Sequence, residues 1–104
     1  MLNDEELAEF LLALTAFMTN AGLSMATTGT LFGVSASSLS RWYKSNPEKR
    51  HGAARWVANP IKQKVAMFDA ISADRGLYGR LVGLSQPEKL EMLRAVLQDT
   101  ATWA

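Results

Sequence analysis

The chain contains no cysteine and a single histidine, His51, among its 104 residues. Without thiols it can build neither a disulfide frame nor a thiolate-held metal centre. One imidazole, and no pair of acids set to face a common pocket, leaves little for acid–base or metal chemistry. No enzyme, cofactor or bound metal is therefore expected. Asp69 and Asp74 lie close in sequence, but a solvated helix face and a helix end account for them. No uninterrupted apolar run approaches the ~18 residues of a membrane span. The first residues include acids and no basic leader, so a signal peptide is not expected and the chain reads as soluble and cytoplasmic. Nowhere does the two-residue alternation of a half-buried strand persist over a useful length.

What is present is a globular composition, 48% hydrophobic and 20% charged, in a length suited to a single domain. The net charge is only +1, yet its distribution is uneven. Residues 1–40 hold Asp4, Glu5, Glu6 and Glu9 with no lysine or arginine. Residues 41–64 hold Arg41, Lys44, Lys49, Arg50, Arg55, Lys62 and Lys64 against Glu48 alone. The remainder is close to balanced. A block of cations confined to one stretch is the distribution that phosphate contact requires.

That block begins inside the stretch around which the chain is organised, Leu23 to Lys44. Ser24 can cap a first short helix and Ser35 a second. Gly33 falls where the first must stop, in a left-handed conformation that glycine adopts at little cost. Met25, Phe32, Val34, Leu39 and Trp42 supply the apolar side, with Leu39 and Trp42 three residues apart on the inner stripe of the second helix. Its outer side is left with Ala36, Ser37, Ser40, Arg41 and Lys44, small, hydroxyl-bearing or cationic, with no acid among them.

Leu23-Ser24, Phe32-Gly33-Val34-Ser35 and Ser38-Leu39-Ser40-Arg41-Trp42 together resemble the helix-turn-helix of phage and bacterial repressors and of related transposase and terminase DNA-binding domains. The resemblance is limited to residues 23–44. One departure is Gly29, which stands where that family usually carries alanine at the closest approach of the two helices; Thr27 and Thr28 are also weaker helix formers than is usual there. The resemblance implies a second helix seated in the DNA major groove.

Elsewhere, Asn3 and Glu6 form a capping box, with Leu2 and Leu7 set for a hydrophobic staple. Leu7, Phe10, Leu11, Leu14, Phe17 and Met18 keep a helical period that ends at Asn20-Ala21-Gly22. Leu12 and Ala16 fall off that stripe, where they could extend a contact to a second subunit. Residues 45–60 read as a basic loop with room for a helical turn over Ala53–Val57; Trp56 is expected to dock it on the core, with stacking on a base or sugar as the alternative. Asn59-Pro60 marks the start of the next helix. Ile61, Val65, Phe68 and Ile71 form its stripe, Gly76 breaks it, and Leu77–Leu84 reads as a short helix-packing segment. Ser85 and Glu88 open a last helix with a second capping box, Pro87 in its first turn. Leu90, Leu93, Val96 and Leu97 face inward from it.

The expected architecture is an all-α compact bundle of about five to six helices in one domain, 1–104. Residues 1–44 supply the N-terminal helix and helix-turn-helix, 45–60 a basic loop, and 61–104 the helices that support or dimerise it. The expected function is sequence-specific double-stranded DNA binding, as in a small phage or bacterial transcriptional regulator. The expected base readers are Ser35, Ala36, Ser37, Ser40, Arg41 and Lys44, on helix 36–44. Ser24, Lys49, Arg50 and Arg55 are the expected phosphate contacts, and a homodimer is the expected state. The alternatives are a protein-interaction module, such as a phage-encoded factor that binds a host protein, and a DNA-packaging or recombination accessory protein.

Overall fold

Local signals set most of the helix boundaries in the computed structural model, which describes residues 3–44 and 52–98, with side chains not described at 4 and 52–57. Helix α1 (Asp4–Ala21) opens on the expected capping box. The Glu6 N–H donates to the Asn3 side chain at 2.8 Å, and the Asn3 N–H donates to the Glu6 carboxylate at 3.2 Å. Helices α2 (Met25–Phe32), α3 (Ala36–Lys44), α4 (Gly52–Arg75), α5 (Leu77–Leu81) and α6 (Gln86–Gln98) follow, with no strand among the described residues. Over the described residues the chain is all-α, a bundle of six helices.

The core is assembled around α1. Leu7, Phe10, Leu11, Leu14 and Phe17 are buried along one side of it, the stripe read from the sequence. The Phe17 ring stacks on Phe68 of α4, with centroids 5.4 Å apart, and meets Phe32 and the edge of Tyr78. Such pairs add about 0.5–1.5 kcal/mol each beyond simple burial. The interior thus joins α1, α2, α4 and α5 through one aromatic cluster. Helix α6 closes the other side, burying Leu93 and Val96 and packing on α2.

Two expectations are corrected. Asn59-Pro60 does not begin a helix, because α4 runs unbroken from Gly52 to Arg75 with Pro60 inside it. The reason is phase. Ala58, Ile61, Val65 and Phe68, each no more than 3% exposed, form one continuous buried face across the proline. Proline forfeits a helical hydrogen bond, but its ring sits on the exposed side, and burial of the flanking residues offsets the loss. Second, the helix-packing segment read over Leu77–Leu84 is helical only over Leu77–Leu81, and its glycines make no close approach. No atom lies within 4 Å of where a Cβ would stand at Gly76, Gly79 or Gly83, and the packing is done by the buried Leu77 and Leu81. The staple through Leu2 and the docking of Trp56 lie outside the described residues and side chains.

Glu88 shows how α6 is started. Its carboxylate accepts the Ser85 N–H at 3.0 Å, while its own N–H donates to the Ser85 hydroxyl at 3.3 Å. The bond from the Ser85 N–H, with the Ser85 side chain adding to it, holds the Glu88 carboxyl below its ordinary pKa. A carboxyl depressed in the folded state stabilises the fold above its unfolded pKa and ceases to do so as pH falls through its folded one. Thermal melts taken stepwise into the acid range should therefore show a loss that Glu88→Gln reduces. An identical acid limb in the variant would remove Glu88 from that account.

No single described helix is long and apolar enough to cross a membrane. Helices α1 and α2 qualify only as a pair, and they are bent by 112° at Gly22–Ser24.

Candidate nucleic-acid interface

The corner between α2 and α3 is built by backbone chemistry. Gly33 adopts φ 74°, ψ 29°, the left-handed conformation expected at that position. The Val34 N–H then turns back to the Gly29 carbonyl at 2.8 Å, closing the end of α2. The Ser35 hydroxyl accepts the Ser38 N–H at 3.1 Å and so opens α3. At the tightest point a Cβ on Gly29 would come inside 3.0 Å of the Val34 carbonyl oxygen. Glycine is there because α2 and the turn leave no room for a methyl group.

Helix α3 is fastened to the core by its inner side. Leu39 and Trp42 are buried, and the indole meets the Phe10 ring at a centroid distance of 6.3 Å. Tyr43, which sequence reading passed over, adds a polar latch. Its hydroxyl donates to the Leu11 carbonyl at 3.4 Å and accepts from the Thr15 hydroxyl at 3.1 Å. Partial burial raises its pKa, and the Thr15 bond opposes that rise. The latch therefore stays protonated and neutral at physiological pH.

What α3 leaves outside is acid-free. Ser35, Ala36, Ser37, Arg41 and Lys44 are exposed, and Ser40 is half-buried. The hydroxyls at its start are linked. Ser35 donates to Ser38 at 2.8 Å, Ser37 lies 3.2 Å from Ser35, and Ser38 accepts from the Arg41 guanidinium at 3.2 Å. The half-buried Ser38 thus steadies Arg41 against the helix, a part the residue pattern did not single out. No acid occurs anywhere on α2 or α3.

The expected phosphate contacts fare differently. Ser24 is exposed but already engaged at the head of α2. Its hydroxyl accepts the Thr27 N–H at 3.1 Å and donates to the Thr27 hydroxyl at 2.9 Å. Its N–H donates to the Gln86 side chain at 2.8 Å. Lys49 and Arg50 lie outside the described residues, as does the side chain of Arg55 on α4.

Gln86 is the unforeseen member. Besides accepting from Ser24, its amide donates to the Gly22 carbonyl at 2.8 Å, and Lys89 donates to the same oxygen at 2.9 Å. The start of α6 therefore clasps the α1–α2 corner and fixes the base on which α2 and α3 stand. Partners 62 and 64 positions apart leave no mark in a local pattern. Compared with known proteins, the chain matches no protein-family model, no curated sequence and no solved structure.

Proposed function

We propose that the protein binds double-stranded DNA as a small phage or bacterial transcriptional regulator does, laying α3 in the major groove as the second helix of a helix-turn-helix. The observation that carries this reading is the two-sidedness of α3. Leu39 and Trp42 are buried, while Ser37, Arg41 and Lys44 stand uncovered with no acid nearby on α2 or α3. A helix of that length spans about 13 Å, and the major groove is about 12 Å wide. Arg41 suits the O6 and N7 acceptors of guanine, and the serines suit either purine or pyrimidine edges. Lys44 and the cations of 49–55 would hold phosphates. A homodimer on a two-fold site fits the limited affinity of one helix.

Enrichment of random duplex DNA by the purified protein tests the reading directly. A recovered motif supports it; recovery of unselected sequence overturns it. On the recovered site, Arg41→Ala should cost about tenfold in discrimination at one base pair. Arg55→Ala should weaken all sequences alike and reduce the salt slope by about one. The competing reading, a module that binds a host protein, is favoured by a serine-rich face with only two cations. One stoichiometric protein partner without retention on heparin would decide for it.

A further inference from the structure

Ser37, Arg41 and Lys44 are exposed and spaced by four and then three residues, so they share one line down α3. The Arg41 side chain turns back along the helix. Its guanidinium donates to the Ser38 hydroxyl, one turn nearer the start, at 3.2 Å. Ser38 is itself held twice by Ser35, which accepts its N–H at 3.1 Å and donates to its hydroxyl at 2.8 Å. A hydroxyl oxygen has two acceptor lone pairs, and Ser35 and Arg41 take both. Half-buried next to the buried Leu39, the Ser38 side chain is a fixed point. The dipole of α3 disfavours a cation above its first turn, and no acid stands there to draw one. The Ser38 oxygen offsets that cost by accepting from the guanidinium.

We propose that Ser38 is the positioning residue that makes Arg41 a base reader, holding its guanidinium toward the leading turn of α3, where it meets guanine, and leaving Lys44 to the phosphates. The inference rests on the DNA reading of α3 and sharpens it. In a groove-bound helix of this kind the N-terminal residues reach the base edges. Arg41 is the sixth residue of nine, and a side chain folded back toward the first turn brings its charge among them. A long cation without such a tether goes to the phosphate backbone, the strongest acceptor near it. Base reading asks for more, a planar fork held in the plane of O6 and N7. A bond to one terminal nitrogen sets that plane in advance and leaves the other donors for guanine. Ser35 is committed to the same task. Its hydroxyl is engaged with Ser38 as both donor and acceptor, so it acts through Arg41 and not on a base.

The test compares the full chain with Ser38→Ala and Ser38→Thr on the motif recovered from random duplex DNA, on its single-base variants and on an unrelated duplex, at several salt concentrations. Ser38→Ala should lose about threefold in discrimination at the guanine that Arg41→Ala also relaxes, and nothing at the other positions. Its binding to the unrelated duplex should hold, and its salt slope should steepen by up to about one as Arg41 goes over to a phosphate. Ser38→Thr keeps the hydroxyl and should keep the discrimination. Helix propensity predicts the opposite order, since alanine favours α3 and threonine weakens it, so a purely structural role cannot give this pattern. Ser38→Ala added to Arg41→Ala should cost nothing further at that base pair. Failure to recover a motif overturns the DNA reading and this inference with it. A motif whose guanine is relaxed by Arg41→Ala but not by Ser38→Ala overturns this inference alone, as do losses that simply add in the double variant.

Discussion

Trp42→Ala should lower the stability of the protein by about 3–5 kcal/mol, the usual cost of deleting a fully packed large aromatic side chain. Trp42 is 3% exposed and meets Phe10 across the α1–α3 contact. Its loss removes apolar contact from both helices and leaves a cavity that α3, held at one end by the Gly33 corner, cannot easily collapse into. Since small domains are stable by only about 5–15 kcal/mol, the variant should unfold tens of degrees earlier. A urea titration of the two proteins measures the difference. A loss under about 1 kcal/mol would mean that α3 is not docked through this residue. If α3 reads DNA, affinity should fall too, because the outer side chains lose the platform that aims them.

Gly29→Ala should destabilise by about 3 kcal/mol, the upper end for overpacking. By helix propensity alone the substitution would gain about 1 kcal/mol, so the two effects have opposite signs. Packing should prevail because the atom in the way is the Val34 carbonyl oxygen, part of the backbone, and cannot rotate aside. The Val34 N–H is meanwhile tied to the Gly29 carbonyl, so separating the two segments would stretch that bond as well. Gly79→Ala is the control. Gly79 lies within α5 with nothing within 4 Å of its Cβ position, and there alanine should stabilise by up to about 1 kcal/mol. Equilibrium unfolding of both variants should therefore shift in opposite directions. A neutral or stabilising Gly29→Ala would show that the corner is looser than this geometry requires.

How much of this was legible in the sequence depends on the range of each interaction. The caps at Asn3, Ser24, Ser35 and Ser85 join residues three apart, so a short pattern contains both partners. The buried faces of α1 and α3 follow from helical spacing, as does the acid-free outer side of α3. Pro60 misled because its local meaning is a helix start, and only the burial of Ala58 against the core overrides that meaning. Thr28 was passed over as a poor helix former, yet it is fully buried with its hydroxyl bonded to the Ser24 carbonyl at 2.8 Å. Tyr43 and Gln86 could not be found at all from pattern, because their partners come from distant segments.

The Gln86 clasp also changes what the amide of Ser24 can report. That N–H heads α2, yet its acceptor belongs to α6, so it is shielded only while the last helix stays in place. Deuterium uptake at this one amide would keep time with the lifting of α6 and not with the fraying of α2. The carboxyl-terminal helix and the corner beneath α3 would then open as a single unit, with Ser24 as the clock.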